Sequence, residues 1–109
     1  MPPRVLQYSD LENAYDEPSR VGRLAALVAD LRGPDTLVVG TGDNTAPGVL
    51  SMVHRGRQAL SLFDAVDPDA DTFGNHDFDY GLAATRGIVE DSPQTWVSAN
   101  VRRDGEVFG

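Results

Sequence analysis

Apolar and polar positions along the chain alternate between two periods. Arg4 to Tyr8 carries the short apolar run Val5-Leu6 and reads as a first strand, and the polar stretch Ser9 to Ser19 reads as a loop. Between Arg20 and Arg32 the period changes. Val21, Leu24, Leu27, Val28 and Leu31 fall at helical spacing, and Gly33-Pro34 ends the segment. Thr36-Leu37-Val38-Val39 is continuously apolar, as a buried parallel strand would be, and a loop from Gly40 to Gly48 follows. Leu50, Val53, Leu60, Leu62, Phe63 and Val66 predict a second helical stretch, interrupted near Gly56. Ala70 to Phe73 reads as a third strand, Leu82 to Glu90 as a third helix, and Thr95 to Ser98 as a fourth strand. Val101 to Phe108 suggests a hairpin or an edge strand around Asp104-Gly105. This alternation predicts an α/β fold, a mostly parallel sheet with flanking helices. The 109 residues suffice for one small domain, with no repeat, linker or low-complexity tract. The abrupt stop at Phe108-Gly109 looks like the edge of a fragment.

Charge alters the picture more than size does. The formal net charge is -8, from 17 acidic against 9 basic residues, and every basic residue is arginine. Aspartate far outnumbers glutamate. An acidic, lysine-free surface is expected of a protein working in molar salt, so we expect a halophilic source. Without lysine there is no phosphate-loop lysine, Schiff base or Ser-Lys dyad, and without cysteine no thiol catalysis, disulfide or thiolate metal site. A chain this acidic is a poor partner for nucleic acid. The start, Met1-Pro2-Pro3-Arg4, offers no signal-peptide core, and no stretch could span a membrane. A cytoplasmic location is expected.

The densest chemistry lies in Gly74-Asn75-His76-Asp77-Phe78-Asp79-Tyr80-Gly81, between the third strand and the third helix. An amide, an imidazole and two carboxylates fall within five residues of a glycine-flanked turn. In a parallel sheet this loop converges with the earlier strand-end loops, Ser9-Asp10-Leu11-Glu12-Asn13 and Gly40-Thr41-Gly42-Asp43-Asn44, at the carboxyl edge. Convergent carboxylates there suit hard divalent cations. An Asn/Asp/Gly-rich turn with no ligand is the plain alternative.

The order of these blocks resembles the calcineurin-like metallophosphoesterases. Gly74 to Gly81 followed by Ser98-Ala99-Asn100-Val101 resembles their 5'-nucleotidase and cyclic-nucleotide phosphodiesterase branch. The resemblance runs from Leu6 to Val101 and implies the first half of an αββα sandwich. It also implies two divalent cations about 3.5–4 Å apart that activate a water, Mn²⁺ being favoured and Mg²⁺ or Zn²⁺ possible. Carried over by position, Asp10 would bind the first cation, Asp43 would bridge both, and Asn75 would bind the second through its amide oxygen. His76 would stabilise the transferring phosphoryl group, with Asp79 orienting its imidazole. The implied substrate is a nucleotide or another phosphate ester.

Two departures stand out. Glu12 occupies a place where the family carries histidine; a carboxylate there can ligate, favouring Mn²⁺ or Mg²⁺ over Zn²⁺, or can point away. The family's downstream histidines and separate nucleotide-selecting domain have no counterpart here, and His54 reads as a surface helix residue. A non-catalytic module with structural cation binding is therefore the alternative function. Asp67-Pro68-Asp69-Ala70-Asp71 fails as a calcium loop, because Thr72 and Phe78 stand where glycine and glutamate are required, and it reads as a surface loop. Asp16-Glu17 reads as solvated charge near a helix start. Tyr8, Phe73 and Trp96 read as core, and Tyr80 as packing.

Overall fold

The computed structural model describes residues 3–108. Four strands, β1 (Arg4–Tyr8), β2 (Thr36–Gly40), β3 (Ala70–Asp71) and β4 (Thr95–Trp96), form one parallel sheet in the order β1-β2-β3-β4. Between them run α1 (Pro18–Leu31), α2 (Val49–His54), α3 (Ala59–Val66) and α4 (Leu82–Asp91). Two 3-10 turns, Glu12–Asp16 and Asn75–Phe78, follow β1 and β3. A hairpin, β5 (Arg102–Arg103) with β6 (Glu106–Val107), lies outside the main sheet. The α/β architecture expected from the alternating periods is the one observed.

Each element follows from local sequence. Pro18 starts α1, where its missing N–H costs nothing, and Gly33-Pro34 lies just beyond its end. The second helical stretch breaks as anticipated: Arg55 and Gly56 both turn left-handed, separating α2 from α3. The polar loop after β1 is more ordered than its composition suggests, because residues 12–16 close a 3-10 turn whose Tyr15 is buried.

Register sets the two faces of the sheet. Val5 pairs with Leu37, Leu6 with Val38 and Tyr8 with Gly40, so alternate side chains share a face. Tyr8, Val38, Asp71 and Trp96 are buried in or against the core that also takes Val28 of α1, Phe63 of α3 and Ile88 of α4. Phe63, fully buried, meets Trp96 edge-on at 5.9 Å, and truncating such a ring typically costs about 3–5 kcal/mol. On the opposite face Val5, Leu37 and Val97 are all more than half exposed. Helices thus cover one side of the sheet. Behind the second 3-10 turn, Phe73 stacks on Trp96 at 5.0 Å and touches Phe78 and Phe108, a cluster that ties the turn and the hairpin to the core.

Two expectations change. The segment 67–71 is not a surface loop throughout: Asp71 is 1% exposed, and Asp69 accepts the Val38 N–H at 2.8 Å while pairing with Arg32. Asp16 is not simply solvated, since its carboxylate accepts the Val49 and Leu50 N–H groups at 3.0 and 2.8 Å and caps α2. Those hydrogen bonds hold its carboxyl below the usual range.

Candidate metal centre

Three loops leave the carboxyl ends of β1, β2 and β3 and meet. The first is held to the second by backbone: Asp10 N–H donates to Gly42 O at 3.0 Å, and Glu12 N–H to Asp43 O at 3.3 Å. Asp10, Glu12 and Asp43 all adopt positive φ, 54°, 46° and 58° respectively. Non-glycine residues rarely sit there, and such strain collects at functional sites. The result is one cluster, in which ligand oxygens of Asp10, Glu12 and Asp43 lie within 4.8 Å of one another.

The second and third loops are clamped by Asp77, a carboxylate of the Gly74–Gly81 run to which the sequence assigned no role. Asp77, buried, accepts the N–H groups of Asp43 (2.9 Å), Thr45 (3.2 Å) and Gly74 (2.8 Å), and the Thr45 hydroxyl at 2.6 Å. Four donors on one carboxylate fix Asp43 and Gly74 relative to each other. The approach is close enough that a Cβ on Gly74 would stand 2.2 Å from Asp43 Oδ1, so only glycine fits. The only forewarning in the sequence was its place between two glycines on a polar turn, which any turn aspartate shares.

Asp43 Oδ1 accepts the His76 N–H at 2.8 Å, placing the third loop's 3-10 turn against the cluster. His76 Nδ1 lies 3.1 Å from Asp79 Oδ2 and 3.3 Å from Oδ1. That bond raises the imidazole above its ordinary pKa, against partial desolvation, with the nearby charges of Asp79, Asp43 and Glu12 adding to the rise. Asn75 begins the same turn, one residue before the His76 N–H that meets Asp43, and is exposed. The structure thus gathers Asp10, Glu12 and Asp43 and pairs His76 with Asp79, while Asn75 stands exposed at the start of the turn that carries the pair. His54 lies exposed on α2, outside this cluster.

The donors suit a hard cation. All three clustered side chains offer carboxylate oxygen, the chemistry of Mg²⁺, Mn²⁺ and Ca²⁺ sites. Two carboxylates ~4 Å apart repel by about 1 kcal/mol in bulk water and about 4 kcal/mol near a protein surface. A divalent cation turns that repulsion into attraction.

No family model matches the chain, and no curated relative matches it. Among solved structures it is similar to the calcineurin-like phosphoesterase YfkN from Bacillus subtilis, with a TM-score of 0.77 and 26% identity. That match covers 95% of this chain and 38% of the neighbour, so the chain spans less than half the length of the protein it resembles. The four-stranded parallel sheet with its flanking helices thus shares its fold with part of that calcineurin-like phosphoesterase, a neighbour in the superfamily that the loop motifs resemble.

Proposed function

We propose that this chain supplies part of the site for metal-dependent hydrolysis of phosphate esters, with nucleotides of the 5'-nucleotidase type as substrate class. The reading rests on one observation: the Asp10–Glu12–Asp43 cluster lies against the turn that carries the His76–Asp79 pair. The Gly74–Gly81 and Ser98–Val101 blocks favour nucleotides. The chain offers no lysine for phosphate charge, which agrees with cations in that role.

In this reading Asp10, Glu12 and Asp43 would hold a first cation, and Asp43 with the amide oxygen of Asn75 would serve a second. Mn²⁺ suits this oxygen-rich set better than Zn²⁺, and Mg²⁺ is its closest substitute. Bound cations would supply an activated water and neutralise phosphate charge. The protein's own part is positional and protonic. The Asp77 clamp and the His76 N–H fix where Asp43 stands, so the site needs little reorganisation on binding. Asp79 occupies His76 Nδ1, which leaves Nε2 as the ring atom for substrate. The raised pKa favours the imidazolium, whose Nε2–H can stabilise a phosphoryl oxygen or donate to the leaving oxygen.

The test combines binding with turnover. Asp43→Asn should weaken Mn²⁺ binding at least about 100-fold by calorimetry, whereas His76→Ala should leave binding largely intact. Hydrolysis of bis-p-nitrophenyl phosphate and nucleoside 5'-monophosphates, in molar KCl with Mn²⁺, should appear in the longest natural polypeptide containing this chain and vanish in its His76→Ala variant. Unchanged binding in Asp43→Asn would overturn the site. Binding without turnover across Mn²⁺, Mg²⁺ and Zn²⁺ would favour the cation-binding module, the reading that Glu12 in place of histidine supports.

A further inference from the structure

At the ends of the strands that lead into the carboxylate loops lies a second polar group that the proposed chemistry does not use. Asp71, at the end of β3, is 1% exposed. Its Oδ2 accepts the Tyr8 hydroxyl at 2.9 Å and the Gln94 Nε2–H at 3.3 Å, while Oδ1 accepts the Thr72 N–H at 2.8 Å. Its carboxyl also rests on Gly40, where an added Cβ would come within 2.3 Å of Oδ2. Tyr8 ends β1, Gly40 ends β2 and Gln94 precedes β4, so one carboxyl touches the carboxyl end of three strands and the approach to the fourth. The arrangement is costly. Gln94 Oε1 is buried with no partner among the described residues, and burying a carboxyl is unfavourable in itself.

Two of those contacts, Tyr8 and Gly40, stand just upstream of a cluster residue, and Asp71 itself stands upstream of the third loop. Asp10 follows Tyr8 by two positions, Asp43 follows Gly40 by three, and Asn75 follows Asp71 by four. From this geometry we infer that Asp71, through Tyr8 and Gly40, is a positioning residue that sets the height of the β1, β2 and β3 loops relative to one another and so the spacing of Asp10 and Asp43. The inference rests on the reading that those two carboxylates bind a divalent cation. A core residue of purely structural role would alter stability alone. A positioning residue alters cation affinity in molecules that remain folded.

The experiment measures Mn²⁺ affinity by calorimetry on the longest natural polypeptide containing this chain, at a temperature where circular dichroism shows each variant fully folded. Asp43→Asn is the control. Tyr8→Phe removes one hydroxyl and keeps the ring, and Asp71→Ala removes the carboxyl. We expect the Kd to rise about fivefold in Tyr8→Phe and about tenfold or more in Asp71→Ala, with Asp71→Asn, which keeps an acceptor for Tyr8, between wild type and alanine. If Asp71→Ala does not fold, the Tyr8→Phe affinity decides. Wild-type affinity in folded Tyr8→Phe and Asp71→Ala, with binding still lost in Asp43→Asn, would overturn the positioning role and leave the cation site standing. Wild-type protein that takes up no Mn²⁺ would overturn both.

Discussion

At the residue scale, two buried aspartates carry the organisation and behave differently. Asp77 is surrounded by donors, whereas Asp71 has fewer and is buried more deeply; burial first of all pushes its carboxyl up to about 6 from the model-peptide value of 3.8. The sign follows directly. Because the folded state holds this proton more tightly than the unfolded chain, stability falls as pH rises from about 4 to about 6, by on the order of 3 kcal/mol from this group. Asp71→Asn should flatten that part of the profile, seen as a smaller difference between urea midpoints at pH 4.5 and pH 7.5. An unchanged difference would mean that the carboxyl is not held protonated. Sequence alone did not separate Asp71 from its neighbours Asp67 and Asp69, because what distinguishes it is contact with Tyr8, 63 residues away. The His76–Asp79 pair was legible for the opposite reason: its partners are three residues apart on one turn.

At the element scale, the helices and the first two strands followed from periodicity, and the third and fourth strands were overdrawn. Ala70–Asp71 and Thr95–Trp96 are two residues each, where longer runs were expected. Side chains supply part of the stitching between β2 and β3: Asp69 accepts the Val38 N–H through Oδ2 and donates its own N–H to Val38 O at 2.7 Å. Such substitution of side chain for ladder leaves no trace in an apolar pattern. The cap on α2 is also non-local. Its own preceding residue, Gly48, provides no side chain, and Asp16 reaches it from the first 3-10 turn. Asp16→Ala should therefore speed hydrogen exchange at the Val49 and Leu50 amides while leaving α1 and α3 protected. Equal protection in wild type and variant would remove Asp16 as the cap.

At the scale of the whole molecule, charge and topology have separate consequences. A net charge of -8 with no lysine predicts that the denaturation midpoint rises between dilute buffer and molar KCl, as self-repulsion is screened. Equal midpoints would remove the argument for a saline setting. Topology concerns time rather than salt. Strand order in the sheet equals strand order in the sequence, so each unit can add to an edge already made. A chain emerging from the ribosome therefore presents Asp10, Glu12 and Asp43 long before Asp77, the residue that fixes Asp43, has been synthesised. The nascent protein passes through a stage at which the three clustered acids are present and their frame is not, so on the proposed function a cation met during synthesis would find a loose chelator and, some thirty residues later, a shaped one.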